Sequence, residues 1–377
     1  MEGSLQIGTL FGIPIRLHWT FLLVIPLFAW IIGSQIQLTT GLLEGIFGIP
    51  IDPSLITAGF NPYILGGVVS LGLFFGVFIH ELAHSLIARA NRIKINSITL
   101  LILGGVSSME DDVPDPRVEL PMALSGPLTS LLVGLVCIGL MYAHRLVAVS
   151  SAVEGVWIYT WGYLGLLNVI LFGFNLIPAF PMDGGRVLRA WLAKRMPLTR
   201  ATKIAADIGK VFAVLFGIFG FVVFNPILII IAFFIYIGAS QESAQVQYNV
   251  LLKDLTLGDV MSGPVMTVPP DMPLPDILRL MYTTKHLGFP VVEHGTLIGM
   301  ITLDDVHRTQ EIDRDAMRVK DVMTRQVLTL PPSSPLTDAL RIMSVKNIGR
   351  IPVVADNALV GIVTRTDILK VMELREG

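Results

Sequence analysis

The chain has 377 residues, of which 53% are hydrophobic and 15% charged, against about 45–50% and about 25% in an ordinary soluble domain. That balance excludes a purely water-soluble globule and points to several membrane spans. A formal net charge of −2 offers no basic footprint for nucleic acid, and the single cysteine, Cys137, allows no disulfide within the chain.

Nearly all long apolar runs lie before about residue 240, and the remainder has the charge density of a soluble domain. Runs of roughly 20 apolar residues predict six helices, near Leu17–Ile36, Tyr63–Ala90, Leu120–Tyr142, Val153–Phe174, Ala201–Phe224 and Pro226–Gly238. The first is too long for a signal-peptide core and reads as a retained helix. The sixth is short and joins the fifth through Asn225-Pro226. The expected layout is a membrane part over 1–240, a linker over 241–256, and two copies of a soluble repeat over 257–312 and 313–377.

Arg92, Lys94 and Arg117 fall between the second and third helices. Arg186, Arg189, Lys194, Arg195 and Arg200 fall between the fourth and fifth, and the opposite side shows only Arg145. The positive-inside rule makes the basic segments cytoplasmic. With six spans, a multi-pass cell-membrane protein with both termini in the cytoplasm is expected.

The second helix ends in GVFIHELAHSLIARA, Gly76 to Ala90. On a helix, residues i and i+4 share one face, so His80 and His84 project together with Glu81 on a neighbouring flank. This donor set suits zinc, whose catalytic sites take three protein ligands and keep the fourth position for water, with Glu81 as the base. Two histidines hydrogen-bonded between helices are the structural alternative. Against it stands depth: three ionisable groups within five residues of an apolar run are expensive unless they serve a site.

Segment 96–109, NSITLLILGGVSSM, is too short for a comfortable span, and both flanking spans end on the same side of the membrane. A re-entrant strand able to clamp an unwound substrate edge-on and an amphipathic surface loop both fit. After the fourth helix, NLIPAFPMDGGRVLRAWL begins at Asn175, breaks helical geometry at Pro178 and Pro181, and sets Asp183 beside Gly184-Gly185. Irregular backbone at membrane depth needs protein or a water-filled cavity around it. Asp183 is the candidate third ligand, and capping of the next helix is its other role. His18 reads as an interfacial residue beside Trp19, and Gly126-Pro127 as a packing and kink site in the third helix.

From Asp259 the chain copies itself at an offset of 62 residues: Asp259-Val-Met261 answers Asp321-Val-Met323, and Pro290-Val-Val292 answers Pro352-Val-Val354. Short β-branched runs alternate with amphipathic stretches, which predicts two β-α-β units packed as a pair. This tail, about the last 120 residues, resembles the tandem CBS module. The resemblance implies a cleft for adenosine nucleotides beside Thr302 with Asp305 and Thr364 with Asp367, the carboxylates accepting from ribose hydroxyls. Both aspartates also suit helix starts, and such pairs serve as dimer interfaces too, so nucleotide binding and homodimerisation are both open.

The membrane part resembles the site-2 protease family of intramembrane zinc metalloproteases. The resemblance rests on His80-Glu81-Leu-Ala-His84 and on Asn175-Leu-Ile-Pro178-Ala-Phe-Pro181-Met-Asp183-Gly184-Gly185. Gly12-Ile-Pro14-Ile-Arg16-Leu-His18, Leu103-Gly104-Gly105 and Ser125-Gly126-Pro127 support it. It implies zinc on His80, His84 and Asp183, Glu81 as catalytic base, Asn175 holding substrate or the oxyanion, and single-span membrane proteins as substrates. No PDZ-like insertion separates the second and third helices, which points away from the PDZ-bearing branch. The fold class expected is thus a polytopic α-helical membrane protein of about six spans followed by a soluble α/β CBS pair. The rival function is a CBS-gated ion or metal transporter; no inverted repeat links the two halves of the membrane part to support it.

Overall fold

The computed structural model describes residues 3–101, 104–109, 115–146, 150–310 and 314–376. The chain divides into two compact units, Met1–Val246 and Gln247–Gly377.

The first unit opens on an antiparallel pair, β1 (Ser4–Leu10) and β2 (Ile13–His18), joined through Phe11 and Gly12 at positive φ. Helix α1 (Phe21–Ser34) and helix α2 (Ile36–Phe47) follow, bent against each other by 69°. The apolar run that begins at Leu17 therefore starts as strand, not helix. Leu17 pairs with Leu5 of β1 and with Leu100 further along, so sheet pairing takes over the residues that hydropathy alone assigned to a span.

Helix α3 (Asn61–Ala90) has 30 residues, about 45 Å of helix at 1.5 Å per residue. It leads into a hairpin of β3 (Ile95–Leu101) and β4 (Gly104–Met109). Of the two readings of segment 96–109, the strand is the one formed. Strand β3 runs parallel to β2, giving a four-stranded sheet in the order β1-β2-β3-β4 with β4 at one edge. Leu103, one of the residues on which the family resemblance drew, lies outside the described residues.

Helix α4 (Pro116–Tyr142) begins where Asp115 accepts from the Arg117 amide at 2.9 Å. It packs along α5 (Ser151–Asn175). The short α6 (Asp183–Leu192) follows, then α7 (Leu198–Val222) and α8 (Pro226–Leu252). Asn225 accepts from the amides of Ile227 and Leu228, which starts α8 immediately after α7. Helix α8 does not stop at Gly238: the polar stretch after it stays helical to Leu252, through most of the expected linker. Among the described residues five helices are long and apolar enough to cross a membrane, and the bent α1 and α2 make a sixth as one broken span.

Two basic residues expected in a cytoplasmic segment, Arg186 and Arg189, lie on the packed helix α6. Arg189 is 3% exposed; it donates to Glu119 of α4, to Glu242 of α8 at 2.7 Å, and stacks over Phe180 at 5.0 Å. Arg186 lines an internal cavity. Both are inside the bundle because α6 tucks back against α4 and α7 rather than crossing a loop region. His18 donates to or accepts from Thr20 at 2.8 Å beside Trp19, away from the histidines of α3.

The second unit realises the repeat. Its first copy holds α9 (Leu257–Val260), α10 (Leu274–Thr284), β5 (Gly288–Glu293), β6 (Thr296–Thr302) and α11 (Leu303–His307). The second holds α12 (Val319–Val322), α13 (Leu336–Val345), β7 (Arg350–Ala355), β8 (Ala358–Thr364) and α14 (Arg365–Glu376). Core positions recur at the same offset: Leu274 with Leu336, Met281 with Met343 and Val291 with Val353 are all buried. The copies also exchange arms. Ser262 of the first bridges Ile362 of the second, and Thr324 of the second bridges Met300 of the first. Each copy thus supplies an edge partner to the other.

Candidate metal centre

His80 and His84 lie one turn apart on α3, and both are buried at 4% and 6% exposure. Their rings meet edge to face, with Nε2 atoms 3.1 Å apart. Asp183, the first residue of α6, sends Oδ2 to within 3.1 Å of both Nε2 atoms. Met182 holds the N-cap position of α6, and the hydrogen bonds of the Asp183 side chain among the described residues are those to the two histidines.

Three donor atoms thus form a triangle of 3.1 Å sides. Ligands at about 2.0–2.1 Å in tetrahedral geometry stand roughly 3.3 Å apart, so the triangle is close to one face of a zinc polyhedron. The outer nitrogens support this. His84 Nδ1 donates to the Met122 carbonyl at 2.7 Å, and a carbonyl can only accept, so Nε2 carries the lone pair turned to the centre. His80 Nδ1 meets Ser130 Oγ at 2.9 Å. A neutral His84 thus turns a lone pair toward the Asp183 carboxylate and the His80 ring, a donor set that suits a divalent ion.

Arg189 pairs with Glu119 and Glu242, and Glu242, Asp183, Glu119 and Glu81 are the carboxylates whose charge acts on Arg186.

Glu81 is half-buried, and its carboxylate lies within 4.8 Å of the histidine nitrogens. Both carboxylates are near enough to be considered for the third position, but only Asp183 completes the 3.1 Å triangle. Glu81 instead accepts from Ser107 Oγ at 3.0 Å, and Ser107 in turn meets Ser85 Oγ at 3.1 Å. Strand β4 thereby holds the glutamate beside the cluster. Asn175, the last residue of α5, donates one N–H to Leu171 O at 3.0 Å and lines the same cavity of about 580 Å³ as His80, Glu81, His84 and Asp183.

Glycines make the approach of these elements possible. A Cβ on Gly126 of α4 would collide with His84 Nε2 and stand 2.7 Å from His80 Nε2. Gly126 is therefore a wall of the metal centre, beyond the packing role that sequence assigned it. On Gly185 a Cβ would stand 2.6 Å from Phe180 N, and on Gly184 it would run into the backbone of Leu176 and Ile177. The pair lets the Pro178–Pro181 loop fold onto the start of α6 and so aims Asp183.

Sequence reasoning missed Ser107, Ser130 and the cavity position of Arg186. No local pattern marks the serines, since their roles exist only once β4 and α4 pack on α3. In the second unit, Thr302 and Asp305 form a closed capping box, with Thr302 Oγ1 donating to Asp305 Oδ2 at 2.6 Å, and Thr364 with Asp367 repeats it at 2.6 Å. The second carboxylate oxygens accept at longer range from the exchanged arms: Asp305 from Thr324 at 3.3 Å, Asp367 from Ser262 at 3.5 Å.

The sequence profile of Peptidase family M50 matches residues 68–147 and 143–216, and that of the CBS domain matches residues 257–311 and 319–374. Zinc metalloprotease MJ0392 of Methanocaldococcus jannaschii is 36% identical over 377 residues, covering 100% of this chain and 98% of its own. The solved site-2 protease from Methanocaldococcus jannaschii is 36% identical and covers 64% of this chain and 95% of that one, with a TM-score of 0.42. A solved CBSX2 in complex with AMP is 29% identical and covers 33% of this chain and 99% of that one, with a TM-score of 0.30. With the His80, Glu81 and His84 cluster set in a bundle of apolar helices and a full-length relative at this identity, the chain belongs to peptidase family M50, as an intramembrane zinc metalloprotease of the site-2 protease type with a tandem CBS module.

Proposed function

We propose that His80, His84 and Asp183 hold one zinc ion, that Glu81 is the general base, and that Asn175 holds the substrate or its oxyanion, for hydrolysis of peptide bonds within or near single membrane-spanning helices. The observation that carries this reading is the 3.1 Å donor triangle with Glu81 beside it, outside the triangle and bonded to Ser107. Zinc, when bound, lowers the pKa of water and polarises a carbonyl. Glu81 takes the proton of the attacking water and passes it to the leaving nitrogen. Ser107 steadies the Glu81 carboxylate without neutralising it. Asn175 retains one N–H beyond its bond to Leu171 O for a substrate oxygen in the cavity.

A peptide bond inside a membrane helix is shielded by its own hydrogen bonds and must unwind before attack. Strand β4 is an edge of the sheet, and its Gly104, Gly105 and Ser107 line the cavity. An unwound segment adding to β4 would have its backbone satisfied while its carbonyl faces Glu81. For orientation, Arg92, Arg117, Lys194, Arg195 and Arg200 remain on one side without Arg186 and Arg189, with Arg145 on the other. This supports cytoplasmic termini and cleavage toward the cytoplasmic leaflet. In the CBS pair, the reciprocal boxes at Asp305 and Asp367 support an adenine-nucleotide site that regulates cleavage; the capping bonds leave one carboxylate oxygen of each with only a long contact.

Five outcomes are expected. Replacing His80, His84 or Asp183 by Ala loses stoichiometric zinc in elemental analysis of the purified chain, and Gly126→Ala does so too. Glu81→Gln keeps zinc and loses cleavage by at least about a hundredfold; zinc retained after Asp183→Ala contradicts the ligand set. A cysteine at Ser108 forms a disulfide with a cysteine near the scissile bond of a bound substrate in the Glu81→Gln background, whereas crosslinking only from β1 positions refutes the docking on β4. On a Cys137→Ala background, an impermeant thiol reagent applied outside labels a cysteine at 150 and spares one at 249; the reverse overturns the orientation. Calorimetry shows AMP, ADP or ATP binding to the full chain, abolished by Asp305→Ala with Asp367→Ala at unchanged zinc content. No binding by any of the three leaves the module as a dimerisation element.

A further inference from the structure

We infer that Arg186 is a further catalytic residue, whose guanidinium donates to the carbonyl oxygen of the scissile peptide as that oxygen takes up negative charge. The inference rests on the zinc and Glu81 reading above and adds to it a charged donor to the oxygen that receives the displaced electron pair. Arg186 follows Asp183 by three residues on α6, so the two side chains share a helix face. Both line the cavity that contains Glu81 and Asn175.

Helix α6 carries two arginines of opposite standing. Arg189 is buried and fully engaged, donating through Nε and Nη2 to Glu119 and through Nη1 to Glu242. Arg186 is half-buried and, among the described residues, makes no hydrogen bond and no ion pair within 4.0 Å. The carboxylates around it are Asp183, Glu81, Glu119 and Glu242. Asp183 is turned to the histidines, Glu81 to Ser107, and Glu242 and the Oε1 of Glu119 to Arg189, while the buried Oε2 of Glu119 has no hydrogen-bond partner among the described residues. A guanidinium offers five N–H donors and stays charged. Arg186 lines the cavity beside Glu81 and Asn175 with no hydrogen bond of its own, so its N–H groups are open to an acceptor placed there.

The chemistry needs such a donor. Water oxygen forms a bond to the carbonyl carbon, the C=O π pair moves onto the carbonyl oxygen, and Glu81 takes the proton. The pair then returns as the C–N bond breaks, and Glu81 delivers the proton to nitrogen. Between those events the oxygen is anionic. A charged donor stabilises it about twice as strongly as a neutral amide does, and Asn175 already commits one N–H to Leu171 O. The competing role is electrostatic support alone, in which Arg186 only offsets the carboxylates and maintains zinc affinity.

The test compares wild type, Arg186→Ala and Arg186→Lys as purified full-length chains. The readouts are zinc content, kcat and KM on a transmembrane substrate, affinity for a phosphinic peptide that mimics the tetrahedral carbon, and affinity for uncleaved substrate in the Glu81→Gln background. Arg186→Ala is expected to keep stoichiometric zinc and to lose roughly 10²–10³ in kcat with KM within about threefold. It should weaken the phosphinic peptide by a similar factor and leave substrate affinity unchanged, and Arg186→Lys should recover part of kcat. Loss of zinc, an effect on KM alone, or equal weakening of substrate and phosphinic peptide overturns the inference. Wild type without zinc, or Glu81→Gln with full activity, defeats the underlying reading and this inference with it. With both controls as expected, an unchanged kcat in Arg186→Ala overturns this inference alone.

Discussion

Charge placed inside an apolar helix bundle must be neutralised where it stands, and the membrane unit is arranged around that requirement. Two imidazole nitrogens and one carboxylate oxygen converge at 3.1 Å, a donor set that suits a divalent cation. Three elements are committed to it. Helix α3 presents the histidines, α4 approaches closely enough that only a glycine fits at 126, and α6 begins at Asp183 because Gly184-Gly185 lets the preceding loop fold beneath it. The second layer of charge, Arg189 between Glu119 and Glu242, ties α6 to α4 and to α8. Breaking a buried pair of this kind by removing one partner typically costs about 3–5 kcal/mol, so the position of the Asp183 helix is set by interactions well away from the metal ligands.

The sheet answers a different problem. A helical bundle offers no unpaired backbone, and a peptide to be cut in a membrane must exchange its own hydrogen bonds for others. A strand edge stands beside Glu81: Ser107 of β4 bonds it while the strand lines the cavity. The parallel pairing of β2 with β3 anchors that hairpin to the start of the chain, which is why Leu17 and His18 are strand rather than the first turn of a helix.

The cluster was legible in sequence because helical spacing acts locally: His80, Glu81 and His84 stand within five residues, and Asp183, which meets both histidines, follows a Pro-rich break. The soluble unit was legible because a repeat reports its own structure, with core positions such as Met281 and Met343 recurring in register. What stayed hidden was tertiary. Hydropathy cannot distinguish an apolar strand from an apolar helix at Leu17. A polar helix such as the end of α8 gives no apolar signal past Gly238. Arg189 looks like a loop charge until Glu119 and Glu242 are brought to it from 70 and 53 residues away. Gly126 reads as a kink until the histidines stand against it.

The central claim is that two histidines and one aspartate hold zinc with a position left open for chemistry. X-ray absorption at the zinc K-edge of the purified, active chain measures this most directly. The account predicts a shell of four or five nitrogen and oxygen neighbours at about 2.0–2.1 Å, outer-shell scattering that fits two imidazoles, and no sulfur. A shell that fits a single imidazole or none, or one containing sulfur at about 2.3 Å, would contradict it.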